Sequence, residues 1–496
     1  MKGLKASLLA DFYKLSHPVQ YPDKTEKVYA TWTPRSGKHA PHIKEVVAVG
    51  FQGAVKEYMI DFFNDEFFAK TKEEIKTDHA RYVKSCLFDP NPDTSRIEAL
   101  HDLGYLPLEI KALDEGTLVP FRVPMLTIEN TLPEFFWLTN YFETLLSANM
   151  WKPSTTASTA RVYREILDKF AIETTGSNAG VEFQGHDFSM RGMSGLEDAA
   201  RSGVGHLLSF VGTDTIPAIQ YAEQYYNANI EEELVGCSVA ATEHSVMCAG
   251  SKDGERETYR RLIEDVYPTG IISIVSDTWD LWNTLENIIP SLKELIMARD
   301  GGAESIDKVV IRPDSGDPAD ILCGDEHMGL GAARKGVVEL LWNTFGGTVN
   351  ELGFKVLDPH IGAIYGDAIT PDRCIDICER LKAKGFASTN VVYGIGSYTY
   401  QYVTRDTLGF AMKSTSVDID GERIAIFKDP KTDDGTKKSA VGRVEVYQAT
   451  DGLYFTDETT VERKLGKNLL TTLFKDGKLI KETSLKEIRA RLAGEL

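Results

Sequence analysis

The stretch VVIRPDSG, Val309 to Gly316, decides the fold. An apolar run ends on an arginine and a cluster of small polar residues, as a buried strand does when it carries its chemistry at its C-terminal end. Five further strings are built alike: VEFQGHDF (Val181 to Phe188), HLLSFVGTD (His206 to Asp214), IISIVSD (Ile271 to Asp277), IGAIYGD (Ile361 to Asp367) and VVYGIGS (Val391 to Ser397). Most of the stretches between them read as helices. Thr370 and Pro371 open PDRCIDICERLKAKG with an N-cap and a proline in the first turn, and Ile375, Cys378 and Leu381 line one face. Thr215, Ile216 and Pro217 start another helix, and Leu281, Leu285 and Ile288 stripe a third. Strand, reactive ending and helix in repetition predict a β/α barrel and an enzyme.

Outside this region the character changes. Residues 1–150 mix strand-like pieces (KVYATWT, EVVAVGF, LPLEIKAL, GTLVPFRVPMLTIEN) with helical ones. The stretch Pro133 to Trp151 is apolar almost all round, which predicts a helix buried on every side. Residues 401–496 return to strands and turns, with DIDGE and KDGK as Asp-Gly hairpins and a short charged helix at the end. The expected class is α/β: a barrel over 151–400 and a second, mainly β domain built from 1–150 and 401–496, the latter also carrying a basic phosphate-binding segment.

Composition narrows the function. The 496 residues are 42% hydrophobic and 26% charged, ordinary for a globular protein with a large core. A net charge of −19 argues against a nucleic-acid surface but leaves room for a local basic pocket. No run approaches the ~18 apolar residues that a membrane span needs. MKGLKASLLADFYKLSH lacks the long apolar core of a secretory signal, and the six cysteines form no CxxC pair. A soluble protein of the reducing cytoplasm is expected.

Several residues could carry chemistry. Arg312 offers a planar bidentate donor for phosphate or carboxylate, and Asp314 could take ribose hydroxyls, a metal-bound water, or simply Arg312 itself. Ser315 and Gly316 follow in a turn that exposes backbone amides. In TEHS, Glu243 and His244 enter a helix, where a neutral imidazole could act as a base or accept a phosphoryl group. Asp214 is an acceptor or an N-cap, and Asp277 and Asp367 repeat its setting. Gly394 and Gly396 permit close approach of backbone to phosphate, but no full GxGxxG is present. Phe188 and Arg191 could hold a flat ring with a polar substituent, or be a core phenylalanine and a surface arginine. DDGTKK lacks the ligands of a calcium loop, no HExxH occurs, and His39 with His42 has no partners, so no metal ligands are assigned.

Taken in order, these strings resemble the nicotinamide phosphoribosyltransferase family nearly end to end. DFYKLSHPVQYP at the start, TRDTLGFAMK, IFKDP and the closing TLFKDGKLIKETSLKEIR carry the likeness beyond the barrel. The resemblance implies a type II phosphoribosyltransferase-like barrel that joins nicotinamide to phosphoribosyl pyrophosphate. The products would be nicotinamide mononucleotide and pyrophosphate, with Mg²⁺ used and ATP hydrolysis coupled through a phosphorylated histidine. It implies a homodimer with shared sites, the ring lying between Phe188 and Tyr13 of the partner subunit. Asp214 would take the ring amide, Arg191 its carbonyl, Arg312 the phosphoribosyl phosphate and Asp314 the ribose hydroxyls. His244 would be phosphorylated, with Glu243 beside it and Asp277 orienting it. Gly366, Asp367, Gly394 and Gly396 would meet ribose and phosphate, and Arg35, Arg405, Lys413, Lys428 and Lys437 the pyrophosphate or nucleotide.

The sequence departs from animal forms at YGIGSYTYQ, where they carry a glycine run, and at Ala411, where they carry a serine. The insertion Gly324 to Arg334 also looks longer, and these features resemble the bacterial and phage branch. The nearest rival is nicotinate phosphoribosyltransferase, against which Asp214 argues, because it would repel a second carboxylate. An aldolase-like barrel would need a Schiff-base lysine, which the strand endings lack. A catalytically silent homologue is disfavoured by the full set Phe188, Asp214, His244, Arg312 and Asp314.

Overall fold

Seven parallel strands build one sheet: β1 (Gly185–Asp187), β2 (Gly212–Thr213), β3 (Ala240–Ala241), β4 (Ile271–Val275), β5 (Lys308–Arg312), β6 (Ile361–Tyr365) and β7 (Val391–Ile395). This computed structural model describes residues 3–366, 368–432, 438–450, 452–460 and 466–496. The strands lie in the order β2-β1-β7-β6-β5-β4-β3, each neighbour parallel. The sheet then meets itself. Just before β3, the Cys237 N–H donates to the Val211 carbonyl at 2.7 Å, and the Thr213 N–H donates to the Cys237 carbonyl at 2.9 Å. A parallel bridge Gly212–Cys237 completes this seam, so the edge strands close a ring.

All six expected strings contain a strand, but two are shorter than their apolar runs. Val181–Phe183 is a 3-10 turn, and His206 and Leu207 end the helix Leu196–Leu207. His206 is buried there between the Tyr400 hydroxyl (2.7 Å) and the Gly212 carbonyl (2.8 Å), so it props the strand instead of forming it. Helices begin where their caps place them: Thr370 accepts the Arg373 N–H, with Pro371 in the first turn. The buried face of that helix is Cys374, Ile377, Cys378 and Leu381, so Ile375 is only half-buried.

This ring belongs to a compact unit of Thr159–Ile219 and Glu232–Tyr402; the other unit comprises Met1–Ser158, Gln220–Glu231 and Val403–Leu496. The second unit is built on a seven-stranded antiparallel sheet drawn from both chain ends. Its strand Thr25–Thr33, third in the order, pairs with Leu126–Asn130 on one side and Ala411–Ile419 on the other. Trp32 is fully buried and stacks on Phe410, ring centroids 5.0 Å apart. Both Asp-Gly hairpins are present: Asp420–Gly421 and Asp476–Gly477 take the positive φ angles that tight turns demand.

The apolar stretch after Pro133 is a 3-10 turn followed by α1 (Leu138–Thr175), which runs well past the expected end at Trp151. Pro153 sits inside α1 and donates no hydrogen bond there. Side-chain hydrogen bonds hold this part of the helix: the Ser154 hydroxyl donates to the Val49 carbonyl at 2.9 Å, and Ser158 accepts the Val47 N–H at 2.9 Å.

One buried carboxyl gives this unit a pH dependence. Glu115 accepts the Gln52 N–H at 2.7 Å, yet burial pushes its carboxyl from 4.5 up to about 7. A raised carboxyl pKa adds stability below the unfolded value, and that stability is lost as pH rises through the folded value. The Tm advantage of Glu115→Gln over wild type should therefore grow between pH 4.5 and about 7 and level off above, as thermal melts across pH would show. A difference that stays constant across that window would refute the assignment.

Candidate active site

The strand endings converge on the ring's interior. On β1 and just beyond it, alternation places His186 and Phe188 on one face, with ring centroids 4.5 Å apart. Asp187 points the other way into the core, where it accepts the Ser189 N–H at 2.9 Å and the Thr215 hydroxyl at 2.8 Å. Phe188 can lie close because Gly394 has no side chain: a Cβ there would fall 2.7 Å from the phenyl ring. His186, Phe188, Asp214, Ser238, Val310 and Arg312 help line a cavity of about 430 Å³.

Asp214, reached directly after β2, is the polar centre of this cavity. Its Oδ1 takes His186 Nε2 at 2.8 Å and the Ser238 hydroxyl at 2.5 Å. Since a carboxylate only accepts, the histidine proton on this side lies on Nε2. Burial raises the Asp214 pKa, but the hydrogen bonds from His186 and Ser238 and the charges of His186 and Arg312 outweigh it, so the pKa falls below the usual value. Asp214 is an anion at neutral pH. Both donors meet Oδ1, so Oδ2 retains acceptor capacity for a donor entering the cavity.

The second half of the site hangs on Asp277, whose side chain is 6% exposed. Its Oδ1 lies 3.3 Å from His244 Nε2, and its Oδ2 accepts the Asp314 N–H at 2.9 Å. The His244 side chain is 48% exposed, an imidazole held from below and open above. Glu243 accepts the Ser245 hydroxyl. Arg312, at the end of β5, donates from Nη2 to the Thr242 carbonyl at 2.5 Å, and its Nε stands 3.5 Å from Asp314 Oδ1. The Arg–Asp ion pair considered for this string is thus present, though at long range. Gly366 makes room for that carboxylate, because a Cβ there would fall 2.1 Å from Asp314 Oδ1. Gly396 leads into the short helix Ser397–Tyr400.

Other expected site residues are outside this cavity's lining or belong to the other unit. Arg191 is exposed on the turn Met190–Gly192, outside the cavity lining. Tyr13 is 55% exposed and meets His17 edge-on. Arg405 is exposed and bonds Asp406 at 3.2 Å, while the Lys428 N–H donates to Ser439 at 3.0 Å. Arg35 and Lys413 line a separate cavity of about 340 Å³ within the antiparallel unit. Burial lowers the Lys413 pKa, against Glu143, and the charges of Arg35, Lys14 and Lys428 add to that. Asp367 and Lys437 lie outside the described residues.

Sequence reasoning missed His186, Ser238 and Thr242 here, and Arg122 and Lys438 in the second cavity. Only His186 carried a signal, its place two residues before Phe188. Among the described residues no group of three His, Cys, Asp or Glu side chains could hold a metal ion. No helix among them is long and apolar enough to cross a membrane.

Known proteins match this arrangement. Residues 183–478 match the nicotinate phosphoribosyltransferase (NAPRTase) family, and residues 5–110 match the N-terminal domain of nicotinamide phosphoribosyltransferase. The nicotinamide phosphoribosyltransferase of Acinetobacter baylyi is 51% identical over 491 residues, covering 98% of this chain and 96% of its own. That of Mycoplasma pneumoniae is 36% identical over 461 residues, covering 89% and 96%. In fold, the chain is similar to the nicotinate-nucleotide pyrophosphorylase of Pyrococcus furiosus (TM-score 0.59, 16% identity, 100% and 98% covered). It is also similar to human nicotinic acid phosphoribosyltransferase (TM-score 0.52, 17% identity, 98% and 93% covered). With half its residues shared with a relative along nearly the whole length of both, the chain belongs to the nicotinamide phosphoribosyltransferase family.

Proposed function

We propose that the cavity takes nicotinamide and that the neighbouring Asp277–Asp314–Arg312 cluster takes phosphoribosyl pyrophosphate, giving nicotinamide mononucleotide and pyrophosphate in NAD salvage. The observation that carries this reading is the ionised Asp214, with both side-chain donors on Oδ1 and Oδ2 left as an acceptor. A carboxamide NH₂ donates to it, whereas a carboxylate in that place is repelled. Phe188 supplies a face for the pyridine ring. Arg191 is assigned to the amide carbonyl, Arg312 to the phosphoribosyl phosphate and Asp314 to the ribose hydroxyls. Gly366, Asp367, Gly394 and Gly396 are assigned to ribose and phosphate contacts.

Transfer passes through an oxocarbenium-like C1. The protein's tasks are to aim the ring nitrogen at C1 and to stabilise the departing diphosphate. The nucleophile needs no general base, since its ring nitrogen already carries a lone pair. Arg35, Arg405, Lys413, Lys428 and Lys437 are assigned to the diphosphate or nucleotide. Mg²⁺ commonly binds through one or two carboxylates plus substrate phosphates, and Asp314 is the carboxylate that would hold it beside the phosphoribosyl group. When bound, it neutralises charge on the diphosphate.

ATP enters this reading as a co-substrate. His244 takes the γ-phosphoryl group, with ADP leaving, and then passes it to water; Asp277 holds the imidazole's other nitrogen throughout. Glu243 stands beside it. Tyr13 and Arg35 are assigned to the neighbouring site of a homodimer. A cytoplasmic setting suits six free cysteines.

The test is product formation from nicotinamide and from nicotinate. Wild type should prefer nicotinamide strongly, and Asp214→Asn should narrow that preference at least about tenfold, because several kcal/mol of like-charge repulsion is removed. Equal use of nicotinate by wild type would overturn the assignment.

A further inference from the structure

Arg122 stands in a backbone conformation that disfavours it. Its φ is +75°, a left-handed geometry that glycine adopts readily and arginine only under constraint. The constraint is visible: the Arg122 N–H donates to the Pro34 carbonyl at 2.7 Å, one residue before Arg35, and the Val123 N–H donates to the Pro120 carbonyl at 3.3 Å. Arg35 is tied in turn, its N–H donating to the Leu408 carbonyl at 3.1 Å and its Nε to the Gly409 carbonyl at 2.7 Å.

The side chain of Arg122 lines the 340 Å³ cavity with Arg35, Lys413 and Lys438. Thr31, Thr33 and Ser439 add hydroxyls to the same wall, and among the described residues the one acidic lining residue, Asp457, already accepts the Val441 N–H at 3.0 Å and the Thr459 hydroxyl at 2.6 Å. Lys438 meets Asp429 at 3.7 Å, and cations gathered on one cavity with Arg35, Arg122 and Lys413 repel one another unless a further anion joins them. Among the described residues the exposed Arg122 guanidinium has no hydrogen-bond or ion-pair partner.

We propose that Arg122 is a diphosphate-binding residue, its planar fork completing with Lys438 an anion subsite whose other cations are Arg35 and Lys413. This deepens the proposed function and rests on it. The same chemistry could be offered by the diphosphate of phosphoribosyl pyrophosphate or by the polyphosphate of ATP. A left-handed backbone position gives a test in which stability and binding part company. Arg122→Gly removes the cation and relieves the backbone, so its Tm should match or exceed that of wild type. The same variant should weaken pyrophosphate binding about tenfold or more, the usual effect of losing one charged hydrogen-bond partner. Arg122→Lys, which keeps the charge without the fork, should recover part of the loss.

Titration with pyrophosphate, KM for each substrate, kcat and thermal melts should be measured on wild type and both variants. A rise in KM for phosphoribosyl pyrophosphate assigns the subsite to the phosphoribosyl donor, and a rise in KM for ATP assigns it to the nucleotide. Arg122→Gly that binds pyrophosphate and both substrates as wild type does would overturn the proposal. A wild-type protein that makes no nicotinamide mononucleotide would instead overturn the function on which it rests.

Discussion

On the proposed coupling to ATP, Asp277→Ala is expected to abolish stimulation by ATP and also to cut the ATP-independent rate by about 10²–10³-fold, as losing a positioning or charge-stabilising group does. The two effects follow from its two oxygens. One holds His244 at 3.3 Å, and the other fixes the Asp314 backbone at 2.9 Å. His244→Ala touches only the first, so it should lose ATP stimulation and label transfer from γ-phosphate while keeping most of the ATP-independent reaction. Initial rates of nucleotide formation with and without ATP separate the cases. Identical residual rates in the two variants would show that the Asp314 contact contributes nothing to transfer.

Gly366→Ala should lower kcat/KM by about 100-fold with the fold intact, because small displacements of reacting groups are that costly. The added methyl would fall 2.1 Å from Asp314 Oδ1, while the backbone at Gly366 asks for no left-handed angle. The Asp314 carboxylate must then move, and the Arg312 guanidinium 3.5 Å away loses its carboxylate neighbour. Steady-state kinetics beside a thermal melt would check this. A Tm loss large enough to account for the lost activity would count against it.

The barrel was legible because buried parallel strands write near-continuous apolar runs, and their polar endings mark the mouth. Asp214, Phe188 and Arg312 do line one cavity, and His244, Asp277 and Asp314 are joined through Asp277. Two kinds of feature escaped. β3 has only two residues, too few for any periodicity to register. His186 and Ser238 are single polar residues without a motif, and the pairing of β1 with β2 brings the first to Asp214 while the closing seam brings the second. Arg122 and Lys438 became neighbours of Arg35 and Lys413 through strand pairing between distant parts of the chain, such as Thr31 with Lys413. The extension of α1 through Pro153 shows local propensity overruled by side-chain hydrogen bonds that no window of sequence contains.

The seam of the barrel bears on how such an enzyme could change over generations. Asp214 follows the strand on one side of it and Ser238 follows Cys237 on the other, and their 2.5 Å bond spans the join. On the proposed function, the carboxylate that discriminates amide from acid through one oxygen therefore also stitches the ring through the other. A lineage drifting toward the acid substrate would weaken its own closure with the first substitution. Compensating changes along β2 and the approach to β3 would have to accompany it, so a loss of the amide preference should come at a cost in stability of the ring.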